Sequence, residues 1–486
     1  MLDRLAEEGL AFDRAYCSSP ICTPTRVTLL TGQYPSRHGA HTIGVAPPAY
    51  HNYSPTLPEV LADAGYSTAI VGKTHFVCRG MESQHVAGLP QPALEAEGPG
   101  VKFWREFTGP YVGFQYVQHD WGHTNSRLPR EHYRVWLEEK GADLDHLYGT
   151  RYGDGTEKDL PKAGVWDIPE GLHQTDWITE RSLDWIEGRQ ESGEPWFCWT
   201  SFKDPHPPYI CPEPYYSAVD MTDVELGSMT EGEFDDKPPF YRRCMEGEYW
   251  SDGEREFWDE TIGNVPAAGP PGEVENHAEK VRAYIGMCNM LDEYVGRIVD
   301  RLEELGAREN TLIVFTTDHG DYLGHHGFWG KGVPPFDDCQ RVPCIVNWPA
   351  AMANTPGGRT EAPLSLVDMP ATFLDAAGLE KIEGMQGVSQ VPVLRGEADQ
   401  AREWVLVEYE PTVNLCQQSF IMGDYKMVVY RDADYGELYN MQEDPNQMRN
   451  LWSLPEYQET RARLIHRLAR AHMESQGKFP PRIHHA

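Results

Sequence analysis

The sequence predicts an α/β fold: a large, mostly parallel sheet with helices on both faces, then a small C-terminal α+β subdomain with an antiparallel sheet. Three observations predict it. Short apolar runs with strand character alternate with helical patterns over the first three quarters of the chain. Several of those runs end in polar, chemistry-bearing residues, as strands do when their C-terminal ends share one crevice. After about Gly384 the pattern changes to neighbouring β-rich stretches closed by one helix.

The elements follow in order. Arg26 to Leu30 reads as a short helix behind Cys22. Leu57 to Ala64 is a helix stopped by Gly65, and Thr68 to Val71 is a buried strand leading into Gly72-Lys73-Thr74-His75. Residues 84–171 read as loop-rich and aromatic. Asp176 to Glu187 is helical. Trp196 to Ser201 is a strand that ends in Lys203-Asp204-Pro205-His206. Residues 210–278 are acidic and rich in Gly and Pro, an insertion rather than a domain. Val281 to Leu305 is the clearest helix, with Ile285, Leu291, Val295, Ile298 and Leu302 on one face and Gly306 closing it. Thr311 to Phe315 and Pro343 to Trp348 are strands, and Leu366 to Ala377 a helix. Trp404 to Glu408 and Gln418 to Tyr430 are antiparallel strands, and Pro455 to Met473 a closing helix. The expected division is a catalytic domain at 1–383 and a subdomain at 384–486.

Seventy-five acidic against forty-two basic residues give a net charge of −33 over 486 residues. That excludes nucleic acid and anionic membrane surfaces as partners. It also requires a local cationic pocket if the substrate is an anion. No stretch is apolar enough to span a bilayer. The ten cysteines have no Cys-x-x-Cys spacing and suggest no disulfide framework.

Cys22 begins the run Cys22-Thr23-Pro24-Thr25-Arg26, followed by Leu30-Thr31-Gly32-Gln33-Tyr34-Pro35. Pro24 suits the first turn of a helix, so Cys22 sits at a helix N-terminus, where backbone N–H groups favour an anion. Arg26 lies one turn on and reaches back to the same place. A nucleophile beside a fixed cation suits a sulfate or phosphate ester. Asp318-His319-Gly320 ends another strand, and an adjacent carboxylate and imidazole can hold one divalent ion. His206, between prolines, is held on a stiff loop. Lys331 ends the run Gly324-His325-His326-Gly327-Phe328-Trp329-Gly330-Lys331. His325 and His326 read as loop residues rather than ligands.

These motifs together resemble type I sulfatases of the alkaline-phosphatase superfamily, from Leu2 to Leu451. The resemblance implies that a maturation enzyme oxidises Cys22 to Cα-formylglycine, whose hydrate attacks sulfur. Thr25 stands where the family usually carries Ser or Ala. The resemblance also implies that Arg26, Lys73 and Lys331 neutralise sulfate oxygens and that His75 acts on the hydrate. It implies that His206 binds sulfate or, with Lys331, protonates the leaving oxygen. Asp318, His319 and position 22 would hold a divalent metal, Ca²⁺ by preference. His319 in place of the usual amide admits Mn²⁺ or Zn²⁺.

Sulfatases carry a strand ending in a metal-binding Asp-Asp pair ahead of the helix that Met1 to Gly9 resembles, so half of the expected metal site is absent from this sequence. Two other readings stay open: a phosphonate monoester or phosphodiester hydrolase, and an inactive glycan-binding relative. The substrate expected is a sulfated small molecule or glycan. Trp104 to Trp136 would offer aromatic faces to a sugar. Arg79, Arg105, Arg127, Arg130, Arg242 and Arg243 would contact its acidic groups.

Overall fold

The computed structural model describes residues 1–42, 55–76, 100–120, 131–144, 147, 163–245, 276–353, 355–412 and 415–475. Helix α1 (Leu2–Glu8) leads into strand β1 (Leu10–Tyr16), and helix α2 (Cys22–Thr31) follows five residues after it. Strands β2 (Ser67–Lys73), β3 (Tyr116–Asp120), β4 (Ala163–Val165), β5 (Trp196–Ser201) and β6 (Tyr209–Cys211) come next. Helix α3 (Gln174–Ser192) precedes β5, and the long helix α4 (His277–Glu304) precedes β7 (Ile313–Thr316). Strands β8 (Cys344–Asn347) and β9 (Gly358–Ser365) lead to helix α5 (Asp368–Ala376).

The strands ahead of the C-terminal sheet fall mainly in two pieces. β3-β2-β5 is all parallel, and β7-β8-β1-β9 is mixed, with β1 parallel to β9 and β8 antiparallel to both β1 and β7. Register aligns the strand ends: Lys73 pairs with Asp120, and Gly72 with Ser201. Three parallel strands therefore deliver Lys73, Asp120 and Ser201 to one rim.

The expected strands and helices occur with boundaries shifted by a few residues, with three differences of kind. β3 is a strand in the stretch expected to be loop. Its Tyr-Val-Gln-His-Asp sequence lacks the apolar alternation that marks a strand, and pairing to β2 forms it instead. The stretch Gln418 to Tyr430 is two strands, β11 (Leu415–Met422) and β12 (Tyr425–Tyr430), because Gly423 turns the chain at φ +58°. With β10 (Trp404–Thr412) and β13 (Gly436–Asn440) they form the antiparallel C-terminal sheet, against which helix α6 (Gln458–Ser475) packs through Leu464 and Leu468. The third difference concerns the aromatic residues. Trp104, Tyr111, Phe114 and Trp136 are buried in core clusters rather than open to a sugar. Trp121 lies outside the described residues.

Candidate active site

Cys22 is fully buried at the first turn of α2, and α2 ends where Gly32 takes a left-handed φ of 65° and donates its N–H to the Thr28 carbonyl. The thiol lies among cations. Lys331 Nζ approaches Sγ to 2.8 Å and Lys73 Nζ to 3.5 Å, while His319 Nε2 lies at 3.1 Å.

Arg26, one turn along α2, is a buried tie. Its Nε donates to Asp318 Oδ2 at 2.8 Å, and its Nη1 donates to the Lys73 carbonyl at 2.8 Å and to Ser201 Oγ at 3.0 Å. One guanidinium thus joins the ends of β2, β5 and β7 to the nucleophile's helix. Burial alone would push the Asp318 carboxyl up. Lys73, His319 and Arg26 outweigh it and hold it well below the usual carboxylate range. Burial lowers Lys73, and the charges of Asp318 and Cys22 act against that.

Two histidine tautomers follow from their neighbours. His319 Nδ1 lies 2.8 Å from the Gly320 carbonyl, which only accepts, so Nδ1 carries the hydrogen and Nε2 presents a lone pair to Lys331 and Cys22. His206 Nδ1 lies 2.8 Å from the Pro207 carbonyl, and its Nε2 accepts from Lys331 Nζ at 2.8 Å. Burial, then the charge of Lys331, pushes His206 down to about 3. His75 is fully buried beside this cluster, and burial pushes it down to about 4, with the Cys22 side chain acting the other way. Both imidazoles are therefore neutral at pH 7.

The motif glycines have steric reasons. A Cβ on Gly72, at φ +103°, would lie 2.1 Å from the Ser201 carbonyl oxygen. A Cβ on Gly320 would lie 1.9 Å from the Asp338 carbonyl oxygen. Only glycine lets β2 and the Asp318–His319 turn run against these backbones. His75 itself has φ 46°, uncommon for a non-glycine residue, with Thr74 N–H bonded to the Asp120 carbonyl just before it.

A sequence model of the Sulfatase family matches residues 1–379, and a second, described as N-sulphoglucosamine sulphohydrolase, C-terminal, matches residues 324–474. The chain belongs to the sulfatase family. Among relatives, this sulfatase is 25% identical to N-acetylglucosamine-6-O-sulfatase of Bacteroides thetaiotaomicron, over 96% of this chain and 80% of that protein. It is 28% identical to choline-sulfatase of Rhizobium meliloti, over 93% and 77%. Among solved structures, the phosphonate monoester hydrolase of Silicibacter pomeroyi superposes with a TM-score of 0.74 at 25% identity, over 98% of this chain and 90% of that one. A structure in complex with its substrate D-glucosamine-2-N,6-O-disulfate shares the fold, with a TM-score of 0.68 at 22% identity, over 98% and 92%. The sulfatase is accordingly a sulfuric ester hydrolase of the alkaline-phosphatase superfamily.

All eight residues singled out in the sequence of this sulfatase fall in one cluster: Cys22, Arg26, Lys73, His75, His206, Asp318, His319 and Lys331. Among the described residues, the group with ligand atoms fit for a metal is Cys22, Asp318 and His319, mutually within 4.8 Å. A carboxylate oxygen, an imidazole lone pair and the position-22 group suit a divalent ion in kind. In number these three fall short of the about six to eight oxygens that Ca²⁺ takes.

His325 and His326 stay out of this cluster. His326 is buried against Glu233 and Asp338 and stacks on Phe336. Of the arginines expected to meet substrate, Arg105 pairs with Glu138 and Arg242 with Asp235 on the surface. Arg79, Arg127, Arg130 and the side chain of Arg243 lie outside the described residues. The sequence reading missed three supporting groups: Ser201 under Arg26, the buried Lys203–Asp120 pair, and Asp321. Lys203 shares its strand-end run with His206, a usable signal. Asp120 and Asp321 carried none. Among the described residues, no helix is long and apolar enough to cross a membrane.

Proposed function

We propose that the Cys22 cluster hydrolyses a sulfate monoester and releases inorganic sulfate, with residues 1–383 as the catalytic domain and 384–486 as a subdomain. The observation that carries this is the convergence of Lys73 and Lys331 on one buried nucleophile position, with Arg26 tied to the adjacent Asp318, in a chain of net charge −33. A local excess of buried cations has a use where an anion must bind and gain charge. Matured to Cα-formylglycine by a dedicated enzyme, position 22 supplies the hydroxyl that attacks sulfur. Asp318, His319 and position 22 would hold a divalent ion, Ca²⁺ by preference and Mn²⁺ or Zn²⁺ as alternatives, which would draw charge from the sulfuryl oxygens.

The chain's own side chains do the remaining work. Lys73 and Lys331 face the sulfuryl oxygens from two sides of Cys22, and Lys73, with His319 and Arg26, holds Asp318 ionised. Lys331 is the proton donor to the leaving oxygen. His206, already neutral and accepting from Lys331, aims that ammonium rather than supplying the proton. His75, neutral at pH 7, accepts the proton that the position-22 hydroxyl gives up as sulfate departs.

The alcohol half is a sulfated carbohydrate in this reading, supported by the likeness to the N-acetylglucosamine-6-O-sulfatase. A second reading, phosphonate monoester hydrolysis, is supported by the likeness to the Silicibacter pomeroyi enzyme. The two separate on kcat/KM for an aryl sulfate and an aryl phosphonate monoester with the same leaving group. Higher kcat/KM for the sulfate is expected; the reverse order would reassign the enzyme to phosphonates.

A further inference from the structure

His75 stands on a turn into which the chain has to be held. At the end of β2 the backbone enters the left-handed region twice, at Gly72 (φ +103°) and at His75 (φ +46°). Glycine takes that conformation freely, and histidine does so uncommonly. The turn is also enclosed: Thr74, His75 and Phe76 are fully buried.

The turn is held from two sides. From α2, Arg26 Nη1 donates to the Lys73 carbonyl at 2.8 Å. From β3, the Asp120 carbonyl accepts the Thr74 N–H at 3.2 Å. A side chain makes a further bond. Thr74 Oγ1 lies 2.8 Å from Nδ1 of His119, the β3 residue paired with Gly72. A hydroxyl both donates and accepts, so it serves either tautomer of that ring.

His119 is a firm anchor. Its ring stacks on Trp104 with centroids 5.1 Å apart, and Tyr111 meets it at a steep angle at 5.4 Å. Its backbone N–H donates to His132 Nδ1 at 2.8 Å, so His132 carries its hydrogen on Nε2 and donates it to the Phe107 carbonyl at 2.7 Å. Burial holds both imidazoles well below their ordinary pKa, so both are neutral at pH 7. A chain of bonds therefore runs from Phe107 through His132 and His119 to Thr74, one residue before His75. A buried hydroxyl needs a partner in any case. This one takes a partner that is itself fixed by its neighbours, and it does so next to a left-handed histidine. The bond pins the Cα–Cβ direction of Thr74, and with it the direction in which the chain leaves toward His75. A reacting group misplaced by about 1 Å loses about 10²-fold in rate.

We propose that Thr74 and His119 are positioning residues for His75, and that the hydrogen bond between them sets the reach of the His75 imidazole toward position 22. The inference rests on the role given to His75 in the reaction proposed for Cys22.

The test compares Thr74→Val, which removes the hydroxyl and keeps the branched shape, with Thr74→Ser, which keeps the hydroxyl. Preparations are matched for aldehyde at position 22, and His75→Ala is run beside them. Rapid quench follows alcohol release, and intact mass follows the sulfated protein. Thr74→Val is expected to slow the step that His75→Ala slows, by about 10–100-fold, and to leave the other step near normal. With sulfate departure as that step, kcat and KM fall together, sulfated protein accumulates, and kcat/KM is unchanged. Thr74→Ser is expected to restore the rate of that step. Parental rates in Thr74→Val, both steps slowed alike, or Thr74→Ser as slow as Thr74→Val would each overturn the proposal. Failure of the underlying reading looks different: His75→Ala then slows the first equivalent of alcohol, and Thr74→Val is expected to follow it there. Should Thr74→Val not fold, His119→Leu takes its place. His119→Asn, which keeps a polar atom near the place of Nδ1, then stands in for Thr74→Ser, with the same outcomes.

Discussion

Lys331 has three N–H donors and three neighbours: Cys22 Sγ at 2.8 Å, His206 Nε2 at 2.8 Å and His319 Nε2 at 3.1 Å. Both imidazoles turn Nε2 toward it, at the mouth of the cluster around Cys22. Lys331→Ala removes a cation that faces growing negative charge and should lower kcat by about 10²–10³. His75→Ala should differ in kind, because the role proposed for His75 follows the first displacement. Rapid-quench kinetics should show one equivalent of alcohol released at near-normal rate, followed by a stall. A slowed first equivalent would contradict the role given to His75. The residue scale was well legible in the sequence: Lys73, His75, His206, Asp318 and His319 each sit in a polar run that ends an apolar one, and Cys22, Arg26 and Lys331 stand in recognisable motifs. Asp321 was not. It accepts from Tyr209 Oη at 2.9 Å and from the amides of Leu323 and Gly330, fixing the turn that delivers Lys331. An acceptor of tertiary hydrogen bonds leaves no periodic trace in a sequence.

At the scale of elements, the site depends on how tightly turns are folded against neighbours. Gly320 follows the two candidate ligands, and its N–H donates to the Cys339 carbonyl at 3.0 Å. A Cβ there would lie 1.9 Å from the Asp338 carbonyl oxygen, and backbone on both sides leaves little room to relax. Gly320→Ala should therefore displace Asp318 and His319 together. Overpacking of this kind costs about 1–3 kcal/mol, readable as a lower urea midpoint, and activity should fall more than stability accounts for. Unchanged activity would mean the turn does not set the site. Elements formed by local pattern were legible: α4, β5 and the helix behind Cys22 all follow from periodicity. β3 was not, because Val117 is its one aliphatic residue and its pairing with β2 is tertiary. The hairpin at Gly423 had a usable signal, since Gly-Asp between two apolar runs marks a tight turn. The aromatic stretch misled for a physical reason. Trp104 stacks on His119 within the core, and sequence alone does not distinguish an inward ring from an outward one.

For the molecule as a whole, buried neutral histidines tie stability to pH. Burial pushes His38 down to about 3 and His132 down to about 4, and both lie outside the catalytic cluster. In the unfolded chain each takes up a proton near its ordinary pKa of about 6.5. The folded-state pKa is depressed, so the stability is fully present above about pH 6.5 and is lost as pH falls toward 4 and 3. Each group should cost on the order of 1–2 kcal/mol between pH 6.5 and pH 5. Urea midpoints at those two pH values should show the loss, and His38→Gln should reduce it. A midpoint independent of pH over this window would contradict the burial of these rings as neutral species.

The net charge of −33 also acts at this scale, repelling the anion that the proposed reaction requires. What overcomes it is the set of cations around position 22, and the account rests on the chemistry there. The most direct test is inorganic sulfate release from an aryl sulfate by preparations that differ in how much of Cys22 has become aldehyde, measured by peptide mass spectrometry. Turnover is predicted to rise in proportion to the aldehyde fraction and to vanish in Cys22→Ala. Turnover independent of that fraction, or retained in Cys22→Ala, would contradict the account.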